Sequence, residues 1–202
     1  SGSVDSAFYI WDPLMTGSYN LGAYRTFTEV DGYAGYKIQS GQAFLVHATG
    51  GSGILNFSED NKVLGSTMAF RPPAIAINRQ FLRIKLFADT SALVKIADVA
   101  DVAFDSDFSN NYDNRDALKM MNGGENLGLI CGNKTLAMEA RNKISKDDTL
   151  FLSLSNCRKQ GYQFQITPQN MARNSLIPVL IDRYSNISQE LSNIDTNYLR
   201  IQ

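Results

Sequence analysis

The sequence predicts an all-β protein, in which a small β unit is followed by an antiparallel β-sandwich of the jelly-roll or immunoglobulin-like kind with one short helix. Hydrophobic residues make up 44% of the 202 residues, and nine Tyr and eleven Phe are present. Aromatic side chains favour half-buried pleated strands over helix interiors. Glycine-rich turns separate short apolar runs along the chain, which is the second indication of strands. The third is the alternation of apolar and polar residues with a period of two in several of these runs.

The first unit is predicted over residues 1–70, where glycines separate short apolar segments. The segment Gln42–Ala48 is apolar on both alternating faces, which is typical of a strand covered on two sides. Such a strand leaves open the alternative that the unit lacks partner strands upstream. The strands predicted here are Ala7–Trp11, Tyr24–Thr28, Gln42–Ala48 and Ile54–Ser58.

A boundary is predicted at Phe70-Arg71-Pro72-Pro73, because adjacent prolines fix an extended backbone and remove two hydrogen-bond donors. The sandwich is predicted over residues 79–202. In Phe81–Phe87, apolar residues alternate with Arg83 and Lys85, which predicts one buried face and one solvated face. The further strands predicted are Ala92–Ala97, Leu127–Cys131, Thr135–Ala140, Thr149–Cys157, Tyr162–Thr167, Pro178–Tyr184 and Asn197–Ile201.

One helix and the two cysteines complete the predicted sandwich. The segment Asp113–Met121 carries a short apolar helical face and is followed by Gly123-Gly124, which ends a helix. Cys131 and Cys157 each border a predicted strand. Two separate thiols are the favoured interpretation, and a disulfide in an oxidising compartment is the alternative.

Composition and charge argue against two classes of partner. The net charge is −1 and the nineteen Lys and Arg are scattered, so no basic surface for nucleic acid is predicted. No apolar stretch approaches the roughly 20 residues that cross a bilayer, so membrane insertion is not expected. The first residues, Ser1-Gly2-Ser3, contain neither an initiator Met nor a signal segment, which indicates a fragment of a longer precursor.

Catalytic residues are not evident in the sequence. His47 is the only histidine and lies in a predicted strand without a nucleophile motif, so we predict a structural role for it. One His and two distant Cys do not make a zinc site. The five Glu residues form no spaced pair on one strand, whereas a glycoside hydrolase needs two facing carboxyl groups. The chain is therefore predicted not to be an enzyme, although two distant segments can supply such a pair.

The polar segment 105–116 is a candidate calcium site. Its oxygen-bearing side chains fall at positions 1, 3, 5, 7, 9 and 12, which is the spacing of an EF-type loop. Asn110 stands where that loop has Gly, and the last ligand is a shorter Asp. The alternative is a solvated polar loop. The candidate ligands are Asp105, Asp107, Ser109, Asn111, Asp113 and Asp116.

Aromatic residues of the first unit form a candidate glycan site. Tyr9, Trp11 and Tyr24 lie in or beside predicted strands, and their rings can stack on sugar faces in a cleft. Packing in a small β core is the alternative, because Tyr and Trp combine a large apolar body with one polar group.

Several segments, taken in order, resemble large secreted surface proteins of the Bacteroidetes group. They are similar to the region just ahead of the C-terminal sorting domain of type IX secretion substrates. The "GNPYPS"-like segment that precedes this region and the sorting domain itself are missing from the pattern. The segments that carry the resemblance are Phe8–Pro13, Ile38–Val46, Leu55–Glu59, Phe70-Arg71, Phe104–Asp107, Tyr112–Lys119 and Pro178–Tyr184, with Leu191 beyond.

The resemblance implies export across the outer membrane to the cell surface or the medium, and it names no reaction. We therefore predict a noncatalytic extracellular module that supports display, adhesion or assembly of a larger protein. Its expected partners are other domains of the same precursor, surface glycans or other surface proteins. A carbohydrate-binding module is the alternative, and a glycoside hydrolase with an unrecognised acid pair is the third. Calcium is the one cofactor predicted.

Overall fold

The computed structural model describes residues 3–30, 37–64, 78–89, 94–158, 161–172 and 176–201, and it confirms the all-β prediction. These ranges contain thirteen strands and one 3₁₀ turn, at Glu59–Asn61. They contain no helix that is both long and apolar enough to span a membrane.

The N-terminal part forms a three-stranded antiparallel sheet with the order β2–β1–β3. The side chains of Ala7 and Tyr9 on the central strand are buried. The predicted strand Ile54–Ser58 is wrong, because this segment belongs to no sheet. The strands are β1 (Val4–Asp12), β2 (Ala23–Phe27) and β3 (Leu45–Ala48).

The second part forms an eight-stranded sheet and a separate hairpin. Seven strands follow the order β13–β10–β4–β5–β8–β7–β9, β6 pairs with β8, and β11 pairs with β12. The strands are β4 (Gln80–Asp89), β5 (Val94–Phe104), β6 (Ala117–Leu118), β7 (Asn126–Cys131), β8 (Lys134–Arg141), β9 (Leu152–Ser155), β10 (Tyr162–Gln169), β11 (Val179–Asp182), β12 (Ile187–Glu190) and β13 (Asn197–Ile201).

The eight-stranded sheet is mixed, which corrects the prediction of a purely antiparallel sandwich. Strand β5 pairs with β8 in parallel through Asp101–Phe104, while the other pairs are antiparallel. A parallel pair needs a crossover connection of a dozen residues or more. The segment between β5 and β8 provides it, and it contains β6 and β7.

The predicted helix at Asp113–Met121 is also wrong. The segment makes a turn, in which the Asp116 N–H donates to the Asp113 carbonyl at 3.2 Å, and then enters β6. The Asp116 carboxylate accepts hydrogen bonds from the N–H groups of Asp113 and Ala140, each at 2.8 Å. The Asp116 side chain therefore links the turn to β8. An Asp side chain that bonds nearby backbone amides also competes with helix formation, which explains why no helix forms here.

Both cysteines are free thiols, which is the interpretation that the sequence favoured over a disulfide. Strands β7 and β9 are antiparallel, with Asn126 opposite Ser155. This register places Cys131 and Cys157 at opposite ends of the pair, roughly 20 Å apart at about 3.3 Å per residue. A disulfide needs Cα atoms within about 7 Å.

Two hydrophobic clusters hold the fold together. The eight-stranded sheet curls around the larger one, which includes Leu86, Val102, Leu127, Leu129 and Leu136. The smaller cluster lies between the two sheets and joins Ala7 and Tyr9 of β1 to Phe81, Ala103 and Met138 of the larger sheet.

The two predicted units thus share a core. The Tyr9 hydroxyl also donates a hydrogen bond to the Leu118 carbonyl at 2.8 Å, which ties β1 to β6. The boundary predicted at 70–73 lies outside the described residues, so the division of the chain at that point stays a prediction.

A β-bulge places Asp98 inside the larger core. The register of the β4–β5 pair shifts beside this residue. The Asp98 carboxylate contacts the Lys119 ammonium at 2.7 and 2.8 Å, and both side chains are almost fully buried. It also accepts the N–H groups of Leu127 at 2.7 Å and Val99 at 2.9 Å. Burial raises the pKa of the Asp98 carboxyl, and the ion pair and the two N–H groups oppose that effect.

Replacing Lys119 by Met is expected to lower the free energy of unfolding by about 3–5 kcal/mol, because it leaves a buried carboxylate without its cation. Urea denaturation measures the loss. The double variant Asp98→Asn with Lys119→Met should recover more than half of it, since neither buried group is then charged. A small loss in the single variant, or no recovery in the double one, would contradict the assigned role of this pair.

Glu125 fixes the loop 13–22 to the larger sheet. Its carboxylate accepts hydrogen bonds from the Ser18 N–H at 3.0 Å, from the Ser18 hydroxyl, and from the Tyr162 hydroxyl at 3.1 Å. Burial raises the pKa of Tyr162 to about 12, so its hydroxyl keeps the proton that it donates. Gly17 has φ +53°, and a Cβ at that position would overlap the Glu125 carboxylate.

Replacing Gly17 by Ala is therefore expected to lower the free energy of unfolding by about 2–4 kcal/mol, from backbone strain together with overpacking. The matched control is Gly132→Ala, since Gly132 has φ +60° but no atom within 4 Å of an added Cβ. The control should lose only about 1–2 kcal/mol, which is the cost of the left-handed backbone alone. Equal losses of unfolding free energy in the Gly17 and Gly132 variants, measured by thermal or urea unfolding, would contradict a close contact between Gly17 and Glu125.

Candidate functional site

The predicted calcium segment is a loop folded around Phe108. The ring of Phe108 is buried, and the guanidinium carbons of Arg79 and Arg115 lie 5.1 and 5.5 Å from its centroid. Both cations are therefore within the range of a cation–π interaction. The Asp107 N–H donates to the Asp105 carboxylate at 3.4 Å.

The acidic residues of this loop do not converge on one point. Across the described part of the chain, no group of three or more His, Cys, Asp or Glu is placed to hold a metal. Asp113 and Asp116 use their carboxylates to accept backbone N–H groups, which gives both a structural role. Binding of calcium by Asp105, Asp107, Ser109, Asn111, Asp113 and Asp116 stays a prediction.

The three aromatic residues predicted to bind glycan lie in different environments. Tyr9 is 1% exposed and packs between the two sheets, so its ring has no free face for a sugar. Trp11 is 42% exposed, and its ring meets that of Tyr24 edge to face at a centroid distance of 4.9 Å. One side of the Trp11 indole lies directly on Gly22. Only Trp11 and the half-buried Tyr24 therefore reach the surface.

His47 lies on the edge strand β3 and contacts the Asp5 carboxylate through Nδ1 at 2.7 Å. The imidazole is 44% exposed and the Asp5 side chain is 7% exposed. This contact links β3 to β1 at the sheet surface.

A cavity between the two sheets was not predicted from the sequence. Its volume is about 140 Å³, and it lies where β2 covers β4 and β5. Met15, Phe27 and Met138 supply apolar walls, and the charged residues that line it are Arg25, Arg83, Lys85 and Asp101.

Two of the three cations at the cavity are paired with carboxylates. Arg83 makes a two-pronged contact with Asp101, from Nε to Oδ1 at 2.9 Å and from Nη2 to Oδ2 at 2.8 Å. Arg25 contacts Asp12 through Nε at 2.7 Å, and the Asp12 side chain is 1% exposed. Such pairs are stronger than ordinary hydrogen bonds and fix the guanidinium planes.

Lys85 is the third cation, and it makes no hydrogen bond or ion pair within the described ranges. Its side chain is half-buried. Burial lowers the pKa of the Lys85 ammonium, Arg83 and Arg25 lower it further, and Asp101 opposes them. The cavity therefore holds one positive charge more than the two carboxylates balance.

One feature of the sequence points to this site, although the alternation in β4 by itself predicts a solvated face. The period of two assigns Arg83 and Lys85 to the side opposite the large core, which is correct, but this side is covered by β2. Opposite charges on two adjacent apolar strands, Arg83 and Asp101, are the feature that distinguishes a covered polar face from a solvated one.

Comparison of the chain with protein-family models, curated proteins and solved structures gives no match.

Replacing Lys85 by Met is expected to raise the Tm by about 1–3 °C at pH 7, because a half-buried ammonium without an anion disfavours the folded state. Its pKa is lower in the folded than in the unfolded chain. The cost is therefore present at neutral pH and disappears as the pH rises past the ordinary lysine value of 10.5.

Calorimetry at pH 7 and at a pH above that value tests both statements. The matched control is Lys146→Met, since Lys146 is exposed and its removal should leave the Tm unchanged. A fall in the Tm of the Lys85 variant would show that its ammonium already has a favourable partner.

Proposed function

We propose that this chain is a noncatalytic module of a larger exported protein and that it acts by contact, through an exposed apolar surface of its N-terminal part. The observation that carries this proposal is the exposure of large apolar side chains in the segment 38–64. The most exposed are Ile54 at 64%, Phe57 at 70% and Leu64 at 96%. Apolar side chains clustered on a surface mark sites of interaction with proteins or other apolar partners.

A chain of aromatic rings connects this surface to the core. Phe27 is 1% exposed and stacks on Phe8 at 5.0 Å, Phe8 meets Phe44 at 6.2 Å, and Phe44 meets Phe57 at 6.4 Å. Phe57 is thus held on a rigid support although most of its own ring faces solvent. An anchor of this kind loses little conformational entropy when a partner covers it.

The proposed partner is another domain of the same precursor, because the resemblance implies a larger protein displayed at the cell surface or released. Strand β3 adds to this proposal. Among the described strands it is an edge of the N-terminal sheet, and an edge strand offers backbone groups to a further strand. A domain that adds a strand beside β3 would cover Leu45 and the apolar segment that follows.

A carbohydrate-binding role is the second candidate, and the exposure of Trp11 beside Tyr24 favours it. Pull-down on insoluble polysaccharides with the native chain and with Trp11→Ala tests it, because stacking on one indole is lost in the variant. Retention of both proteins to the same extent would leave Trp11 a packing residue.

The variant Ile54→Ser with Phe57→Ser is expected to change the free energy of unfolding of the isolated chain by less than about 0.5 kcal/mol, since both side chains are exposed. The control Phe27→Ser removes the buried end of the same aromatic chain. It should cost about 3–5 kcal/mol.

In the full-length precursor, hydroxyl-radical labelling should modify Phe57 several-fold less than in the isolated chain, because the partner covers it. Ile187, which is 60% exposed on the β11–β12 hairpin, serves as the reference residue. Protection of Phe57 should be lost in the Ser double variant of the full-length protein. Equal labelling of Phe57 in the isolated chain and in the precursor would overturn the proposed contact.

A further inference from the structure

The cavity between the two sheets has the composition of a ligand site. It is small, about 140 Å³, which corresponds to the volume of about five water molecules. Apolar side chains from both sheets form part of its wall, and charged side chains form the rest. Pockets that combine an apolar wall with a few placed polar groups are the usual form of small-molecule sites.

The hydrogen-bond donors at the cavity exceed the acceptors that face them. A guanidinium has five N–H donors, and the described part of the chain gives Arg25 only the Asp12 carboxylate as a partner. Lys85 adds three N–H donors for which the described residues supply no acceptor. An anion placed between these two side chains would accept hydrogen bonds from both.

We propose that this cavity binds a small organic monocarboxylate, held by charge-assisted hydrogen bonds from Lys85 and the outer nitrogens of Arg25. The planar fork of an Arg side chain matches the two oxygens of a carboxylate. The apolar tail of the ligand packs against Met15, Phe27 and Met138.

Charge balance and the apolar wall decide between an organic acid and an inorganic oxyanion. A monocarboxylate matches the one excess positive charge at the cavity, whereas a doubly charged phosphate leaves one negative charge unbalanced beside Asp101. It also gains from the apolar wall, which an inorganic ion cannot use.

The unpartnered state of Lys85 agrees with this role. An ammonium that is half-buried without an anion costs stability, and residues retained at such a cost are typical of binding sites. The site is distinct from the surface at 38–64, so the proposal does not depend on the contact proposed above.

Titration with butyrate, followed by calorimetry and by the ¹³C-methyl resonances of Met15 and Met138, tests the proposal. Butyrate should bind in a saturable manner and shift both methionine signals. Butylamine, which has the same tail and the opposite charge, should not bind. Phosphate should bind at least about tenfold more weakly than butyrate, because it cannot use the apolar wall and its second negative charge is not balanced at the site.

The variant Lys85→Met should bind butyrate at least about tenfold more weakly, because it loses one charge-assisted hydrogen bond. The control Lys146→Met should bind like the native chain. A loss of binding in the Lys85 variant cannot come from unfolding if its Tm is unchanged or raised, so the Tm is measured on the same samples.

Three outcomes would overturn the proposal. They are the absence of saturable binding of butyrate at millimolar concentration, equal affinity in the Lys85 and Lys146 variants, and tighter binding of phosphate than of butyrate. The last outcome would assign the cavity to inorganic oxyanions instead.

Discussion

The covering of a charged sheet face by a second sheet is the constraint on which the rest of this structure depends. Strands β4 and β5 carry Arg83, Lys85 and Asp101 on the side where β2 packs. Charges removed from water need partners, and the fold supplies them as the Arg83–Asp101 and Arg25–Asp12 pairs. A cavity remains between the sheets beside these pairs. Lys85, which has no partner among the described residues, is the cation to which we assign the proposed anion.

Three buried carboxylates also connect separate segments of the fold. Asp98 accepts the N–H of Val99 beside the bulge of β5, where β8 does not pair with that strand, and the N–H of Leu127 in β7. Asp116 fixes the turn before β6 to β8, and Glu125 anchors the loop that follows β1. In each case an acidic side chain accepts backbone N–H groups that no strand pairs, which is the condition for burying them. The mixed sheet tolerates its irregular connections because these three side chains complete the hydrogen bonding.

The N-terminal part packs on the larger sheet and also exposes apolar side chains, and both features enter the proposals. Tyr9 packs on the larger sheet, and Arg25 of β2 lines the cavity. The segment after β3 instead presents Phe57 and its apolar neighbours outward. A surface of this kind, on a support fixed by stacked rings, suits contact with another domain better than chemistry. The one histidine is used in a contact with Asp5 on the same sheet.

The sequence by itself determined the strands and the class of the fold, because period-two alternation and glycine turns are local properties of the chain. Strands such as β1, β4, β8 and β10 were predictable for this reason. Strand β6 was missed because two residues carry no periodicity, and β12 was missed because Ile187 is its one apolar residue. Only the tertiary structure decided that Arg83 and Lys85 are covered, that Asp116 anchors a turn instead of lying in a helix, and that Cys131 and Cys157 lie far apart. Each of these depends on which distant strand lies beside the residue. Alternation assigns a side chain to one face of a strand, but packing between sheets decides whether that face meets water, a carboxylate or a second sheet.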